Sequence, residues 1–299
     1  MAPRIACVGG GHGLFAALRA ARQLTDDVTA IVTVADDGGS SGVLRRQLGI
    51  PAPGDLRMAV AALAADPELE RLIQYRFAEG ELAGHPLGNL LIAALADLRG
   101  DFAEALTEVC RLAGVVGAVI PSTTLPVTLR ASIGGRDVAG QVAIAQGNGP
   151  VEKLWLVPEA DGHPGARAAL ERADLVVLGP GSLFTSIIAA LLPAGIAEST
   201  ARAGRVAYVL NLQQQTGEAL GLDGAAHVRA LTTHAPALRL DAVLAHDGTV
   251  EGIARPVIVD PDAMAAARAP VVRADLRAGG GLVLHDPDKL AATLKSLLW

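Results

Sequence analysis

Residues 5–37 read IACVGGGHGLFAALRAARQLTDDVTAIVTVADD. Ile5 to Val8 is a short apolar run, as expected of a strand buried on both faces. Gly9-Gly10-Gly11-His12-Gly13 then turns the chain. Leu14 to Leu24 places apolar residues at Leu14, Ala17, Leu18 and Ala21, the spacing of one helix face. Val28 to Ala35 is apolar and β-branched, which predicts a second buried strand. Strand, glycine turn, helix and strand make a βαβ unit, and such a unit requires a parallel pair and a right-handed crossover. The stretch ends on Asp36-Asp37, at the carboxyl end of the second strand.

The same event recurs along the chain. Leu175 to Leu178 is an apolar strand that meets Gly179-Pro180-Gly181-Ser182, followed by a helical pattern over Phe184 to Leu192. Val206 to Leu210 meets Asn211 and Gln213 to Gln215. Val115 to Ile120 and Ala242 to Ala245 read as further strands. Helical spacing covers Leu56 to Ala65, Glu68 to Phe77, Pro86 to Asp97, Phe102 to Leu112, His227 to Thr233 and Asp288 to Leu298. One region differs. Val127 to Ser132, Arg136 to Ala145 and Val151 to Val157 are short strand patterns split by Gly134-Gly135 and Gly147-Asn148-Gly149, which predicts antiparallel hairpins. The expectation is a Rossmann-like α/β fold: a mainly parallel sheet flanked by helices, with a small hairpin insertion near residues 127–157. No low-complexity linker and no repeat divides the chain, so residues 1–299 are read as a single nucleotide-binding domain.

Composition narrows the function classes. Hydrophobic residues make up 51% and aromatics 3% of the 299, so the core is aliphatic and Ala-rich. The net charge of −6 argues against general nucleic-acid binding, which demands a basic face. Cys7 and Cys110 read as small core residues of a reducing compartment, without metal-ligand spacing. No apolar run reaches the roughly 18 residues of a membrane helix; the longest, Ile187 to Ala197, is broken by Pro193 and Gly195. No signal-peptide pattern is visible. The expected location is cytoplasmic.

The chemistry lies in the turns. From Asp36 to Arg57 the chain supplies Asp36, Asp37, Gly38, Gly39, Ser40, Ser41, Gly42, Arg45, Arg46, Pro53-Gly54-Asp55 and Arg57. No packing requirement asks for that mixture, whereas a phosphorylated ligand would. Glycines and a helix start offer backbone N–H groups to phosphate, and guanidinium forks suit phosphate oxygens. The aspartate pair has two readings: a ribose hydroxyl, or a Mg²⁺ ion shared with phosphates. Gly10, Gly11, His12 and Gly13 form the first candidate phosphate turn. It lacks the third glycine of the dinucleotide fingerprint, since position 14 is Leu14, and no P-loop Lys follows. Gly179, Gly181 and Ser182 form the second such turn, with Asn89 (in GHPLGNL, after His85) and Asn211 as further polar contacts.

Taken together, GGGHG, TVADDGGSSGVLRRQLGIPAPGDLR, GHPLGNL, LGPGSLFTSI and NLQQQTGE resemble the gluconeogenesis factor family (YvcK), which is related to 2-phospho-L-lactate transferase (CofD). The motifs span Gly9 to Glu218, and His285-Asp286 before the last helix fits as well. The resemblance implies a CofD-like fold that binds a UDP-sugar such as UDP-N-acetylglucosamine. It implies a regulatory role in gluconeogenic growth, cell shape and peptidoglycan synthesis, with cell-wall synthesis proteins as partners and a homo-oligomeric state. The transferase branch implies an alternative: transfer of a phospholactyl-type group from a guanosine diphosphate donor to the deazaflavin Fo with Mg²⁺. Whether this chain is an enzyme stays open between the two. The chain departs from the family pattern at five residues. His12 stands for Thr, Pro86 for Ser, Thr216 with Ala219 for Pro and Thr, and Leu284 for a basic residue.

Overall fold

The computed structural model describes residues 2–248 and 250–298. Its strands are β1 (Ile5–Gly9), β2 (Val28–Val32), β3 (Ala118–Pro121), β4 (Thr128–Ile133), β5 (Arg136–Ala139), β6 (Val151–Val157), β7 (Leu175–Leu178), β8 (Val206–Val209), β9 (Ala242–His246) and β10 (Val271–Ala274). Seven of them form one sheet in the order β10-β9-β8-β7-β1-β2-β3, and every pair is parallel. The remaining three form a separate antiparallel sheet, β5-β4-β6, inserted between β3 and β7. The fold is therefore the expected α/β class with its antiparallel insertion.

The continuous apolar runs explain the strand positions. β1, β7 and β8 are buried at every residue, because helices cover both faces of a parallel sheet. Helix α1 (Gly11–Arg22) buries Leu14, Ala17, Leu18, Ala20 and Ala21 on the sheet. Cys7 is fully buried in β1, and burial pushes its thiol up to about 12, so it is a core residue and not a nucleophile. Among the described residues, no helix is long and apolar enough to cross a membrane.

Strand order positions the site. From β1 the chain moves outward to β2 and β3, then returns to β7 on the other side of β1 and moves outward to β10. The reversal between β1 and β7 leaves a crevice at their carboxyl ends, where open parallel sheets bind ligands. The helices beginning around it are α1, α2 (Gly39–Leu48), α3 (Gly54–Leu63) and, after α4 (Pro67–Gln74), α5 (Leu87–Arg99). None of α1, α2, α3 and α5 has a side-chain cap at its N-terminus, whereas Asp66 caps α4 and Asp101 caps α6 (Phe102–Leu112). Two of these starts have their first N–H taken, Gly11 by Asp55 at 3.1 Å and Leu87 by the Tyr75 carbonyl at 2.8 Å, whereas the starts of α2 and α3 have no side-chain partner.

Three elements differ from the sequence expectation. The glycine-serine segment after Asp37, set among the turns above, is helical: Gly39-Ser40-Ser41-Gly42 is the first turn of α2. The run Arg136 to Ala145 is not one strand; Gly140, at φ 100, ends β5 and starts a short helix, Gln141–Ala145. The helix expected over Phe184 to Leu192 begins as a π-helical turn, Leu183–Ile188, in which Ile187 N–H reaches the Ser182 carbonyl at 3.0 Å.

The two central turns meet backbone to backbone. A side-chain carbon on Gly13 would lie 2.0 Å from the Pro180 carbonyl oxygen. Gly13→Ala is therefore expected to cost about 1–3 kcal/mol in urea unfolding, the usual penalty of overpacking. An unchanged midpoint would mean that the turns do not touch.

Candidate functional site

The crevice has two walls. The first is built by the turns after β1 and β7. Asn211, just past β8, accepts the Gly181 N–H through Oδ1 at 3.1 Å and donates through Nδ2 to the Gly181 carbonyl at 2.8 Å. Both ends of its amide are thereby spent on fixing the turn. Gln215 Nε2 donates to Ser182 Oγ at 2.7 Å. His285 Nε2 meets the Leu210 carbonyl at 3.1 Å. Burial drives the His285 pKa down to about 4, so the ring is neutral and the proton lies on Nε2, donated to that carbonyl. Between these groups lies a cavity of about 380 Å³. Phe15, Ala16, Leu212, Val283, Leu284 and Pro287 make its apolar side, and His12, Gln213 and Gln215 its polar side. That volume suits the non-phosphate part of a nucleotide-sized ligand.

The second wall carries the carboxylates. Asp36 Oδ1 accepts the Gly38 N–H at 2.9 Å. Asp55, in the first turn of α3, accepts the Gly11 N–H at 3.1 Å. A side-chain carbon on Gly10 would lie 2.3 Å from Asp55 Oδ2, and one on Gly54 would lie 2.2 Å from Ser41 Oγ and 3.1 Å from Asp36 Oδ2. Asp36, Ser41 and Asp55 thus converge beside the start of α1. Burial, and then the charge of Asp36, raise the Asp55 pKa to about 7. Among the described residues, no group of three or more His, Cys, Asp or Glu gathers in metal-binding fashion. A cation here would therefore take a carboxylate pair and complete its shell with ligand phosphates, as Mg²⁺ does.

The expected residues separate into groups. Gly10, Gly11, His12, Gly13, Gly179, Gly181, Ser182 and Asn211 stand at the β1/β7 crevice, with His12 exposed and lining the cavity. Asp36, Gly38, Gly39, Ser40 and Ser41 stand at the start of α2. Ser40 Oγ lies 2.9 Å from His85 Nδ1 and 3.1 Å from Asn89 Nδ2, tying α2 to α5. Asp37 and Arg45 turn to the insertion. Asp37 Oδ1 accepts the Val142 N–H at 3.0 Å, and Arg45 donates to Thr128 Oγ1 at 2.6 Å. Arg45 is half-buried, Arg46 is exposed and Arg57 is buried, so the three arginines are not alike in their access to a ligand. The sequence singled out Asp36 with Asp37; the fold sets Asp36 beside Asp55. The PGD motif held that signal, because a carboxylate two residues into a glycine-started helix aims at the neighbouring turn. Phe15, Leu212 and Val283 gave no signal of their own.

A raised carboxyl pKa has a sign. Unfolded, Asp55 loses its proton near 3.8; folded, near 7. Between these values the folded state holds more protons, so its contribution to stability falls as pH rises from about 4 to about 7 and is level above. Asp55→Asn is expected to make stability decline less steeply across that window in urea titrations at stepped pH. An identical slope would remove Asp55 from this role.

Known proteins match this architecture. The 2-phospho-L-lactate transferase CofD family profile matches residues 5–277. The gluconeogenesis factor of Bacillus subtilis is 39% identical, with 99% of this chain and 98% of that protein covered. The gluconeogenesis factor of Halalkalibacterium halodurans is 38% identical over 84% of this chain and 83% of its own. A crystal structure from Bacillus halodurans, described as a member of the UPF0052 family, superimposes with a TM-score of 0.93 at 34% identity, covering 99% of both chains. The profile match over most of the chain and identity of this order over nearly the whole length show that this chain belongs to the CofD/UPF0052 family, alongside the relatives named gluconeogenesis factors.

Proposed function

We propose that this protein binds a nucleotide sugar of the UDP-N-acetylglucosamine type in the β1/β7 crevice. On this reading it acts by binding, as a regulator of gluconeogenic growth, cell shape and peptidoglycan synthesis. The observation that carries the reading is the pairing of an apolar-sided cavity of about 380 Å³ with the start of α1, whose His12 and Gly13 line it. The nucleoside fills the cavity, and the diphosphate meets the N-terminus of α1, where backbone N–H groups and the helix dipole favour anions. His12, which lines the cavity, would donate to a phosphate oxygen. The names of the Bacillus subtilis and Halalkalibacterium halodurans relatives support the link to gluconeogenesis.

The donor set fits Mg²⁺ if the ion comes with a diphosphate. Asp36 and Asp55 would hold it, and it would neutralise phosphate charge. The same carboxylate pair, with the family profile named for a transferase, favours the second reading: transfer of a phospholactyl-type group from a guanosine diphosphate donor to the deazaflavin Fo.

Calorimetry separates the two. UDP-N-acetylglucosamine is expected to bind, and Asp36→Asn is expected to weaken its Mg²⁺-dependent binding about tenfold, or ~1.4 kcal/mol. Heat from Fo with guanosine diphosphate, and none from UDP-sugars, would replace the regulatory reading with the transferase one.

A further inference from the structure

The first turn of α5 gathers donor and cationic groups that do not line the cavity. Arg57 is only 8% exposed, and its Nε is buried without a hydrogen-bond partner among the described residues. Its stem lies against this turn: a side-chain carbon on Gly88 would stand 2.7 Å from Arg57 Cγ. The N–H groups of the turn are unequally used. Leu87 donates to the Tyr75 carbonyl at 2.8 Å, and Asn89 and Leu90 donate to the Pro86 carbonyl at 3.1 and 3.3 Å. The N–H of Gly88, a buried residue, has no partner among the described residues. Arg76 stands at the same place, since it pairs with Pro86 in an antiparallel bridge and its guanidinium donates to the Gly84 carbonyl. Among the described residues neither Arg57 nor Arg76 forms an ion pair. The first turn of α5 holds no acidic residue.

A buried guanidinium cannot shed its charge as a buried carboxyl can, so its burial is answered by an anion or by water. Asp55 supplies a nearby charge but not a partner. Residues two apart on a helix point to opposite sides. Asp55 accordingly turns to the Gly11 N–H at the start of α1, and Arg57 turns to the start of α5. An anion satisfies every group there at once: it pairs with Arg57, takes the spare Gly88 N–H and sits at the positive end of the α5 dipole. We propose that the start of α5 is an oxyanion site, in which the Arg57 guanidinium and the Gly88 N–H hold a phosphate or carboxylate group, with Arg76 at the rim. Helix α3 stands between this site and the start of α1, so the oxyanion is distinct from the diphosphate proposed there. The site is independent of what fills the β1/β7 crevice.

The test uses the whole chain without nucleotide. Thermal unfolding is followed at fixed pH and ionic strength in chloride, with inorganic phosphate or malonate then replacing part of it. At least one of the two anions is expected to raise the melting temperature saturably, by about 2–4 °C. The larger increment names the anion class. A general salting effect would not saturate. Arg57→Gln is expected to lose the increment. Arg71→Gln, which removes an equal charge from the exposed side of α4, is expected to keep it. Where Arg57→Gln does not fold, crystals soaked in tungstate carry the comparison and are expected to show anomalous scattering beside Gly88. No increment from either anion, an increment that survives in Arg57→Gln, one lost equally in Arg71→Gln, or tungstate bound only elsewhere would each overturn the site. A phosphate or malonate increment without any binding of UDP-sugars would overturn the nucleotide reading alone.

Discussion

The contact of backbone with backbone where the β1 and β7 turns meet is the constraint on which the site depends. Strand order makes β1 and β7 neighbours, yet their following helices leave in opposite directions. The turns must therefore cross at close range, and Gly13 lets the Pro180 carbonyl approach where any side chain would collide. The closeness brings the start of α1 near the Gly179–Ser182 turn, which Asn211 holds by both ends of its amide. The dipole of α1 favours an anion where the two turns meet.

Two carboxylates stand in that field. Asp55 reaches the Gly11 N–H, which stabilises its charge, but burial and the nearby Asp36 oppose it more strongly. The wall is thus frustrated while it is alone: two like charges in a crevice otherwise tuned for phosphate. A proton relieves it at low pH. On the proposed reading, a divalent cation would relieve it at neutral pH and turn the wall from phosphate-repelling to phosphate-binding.

The sheet was legible because parallel strands buried on both faces write themselves as unbroken apolar runs. β7 and β6 begin and end where the pattern does, and α6 spans Phe102–Leu112 as expected. The short helix Pro261–Ala266 and β10 at the sheet edge were not legible. An edge strand is only half-buried, so Val271-Val272-Arg273-Ala274 shows neither a long run nor a clean alternation. At the candidate site, the glycine turns were readable as turns because their backbone geometry is local. Asp37 was not, because its partner is the Val142 N–H, 105 residues away in the insertion. The carboxylate that instead joins Asp36 is fixed by how α3 packs on α1, a tertiary fact.

The insertion has a structural consequence for both walls. Asp37 holds the N-terminal turn of its helix, Gln141–Ala145. At the other end, Gly217 fits so closely that a side-chain carbon there would lie 2.0 Å from the Ala145 carbonyl oxygen. Next to Gly217 comes Glu218, which takes the Phe184 N–H behind the Gly179–Ser182 turn. A continuous path of contacts therefore runs from the Asp36-Asp37 wall, through the inserted helix, to the opposite wall. The insertion thus links the two halves of the crevice.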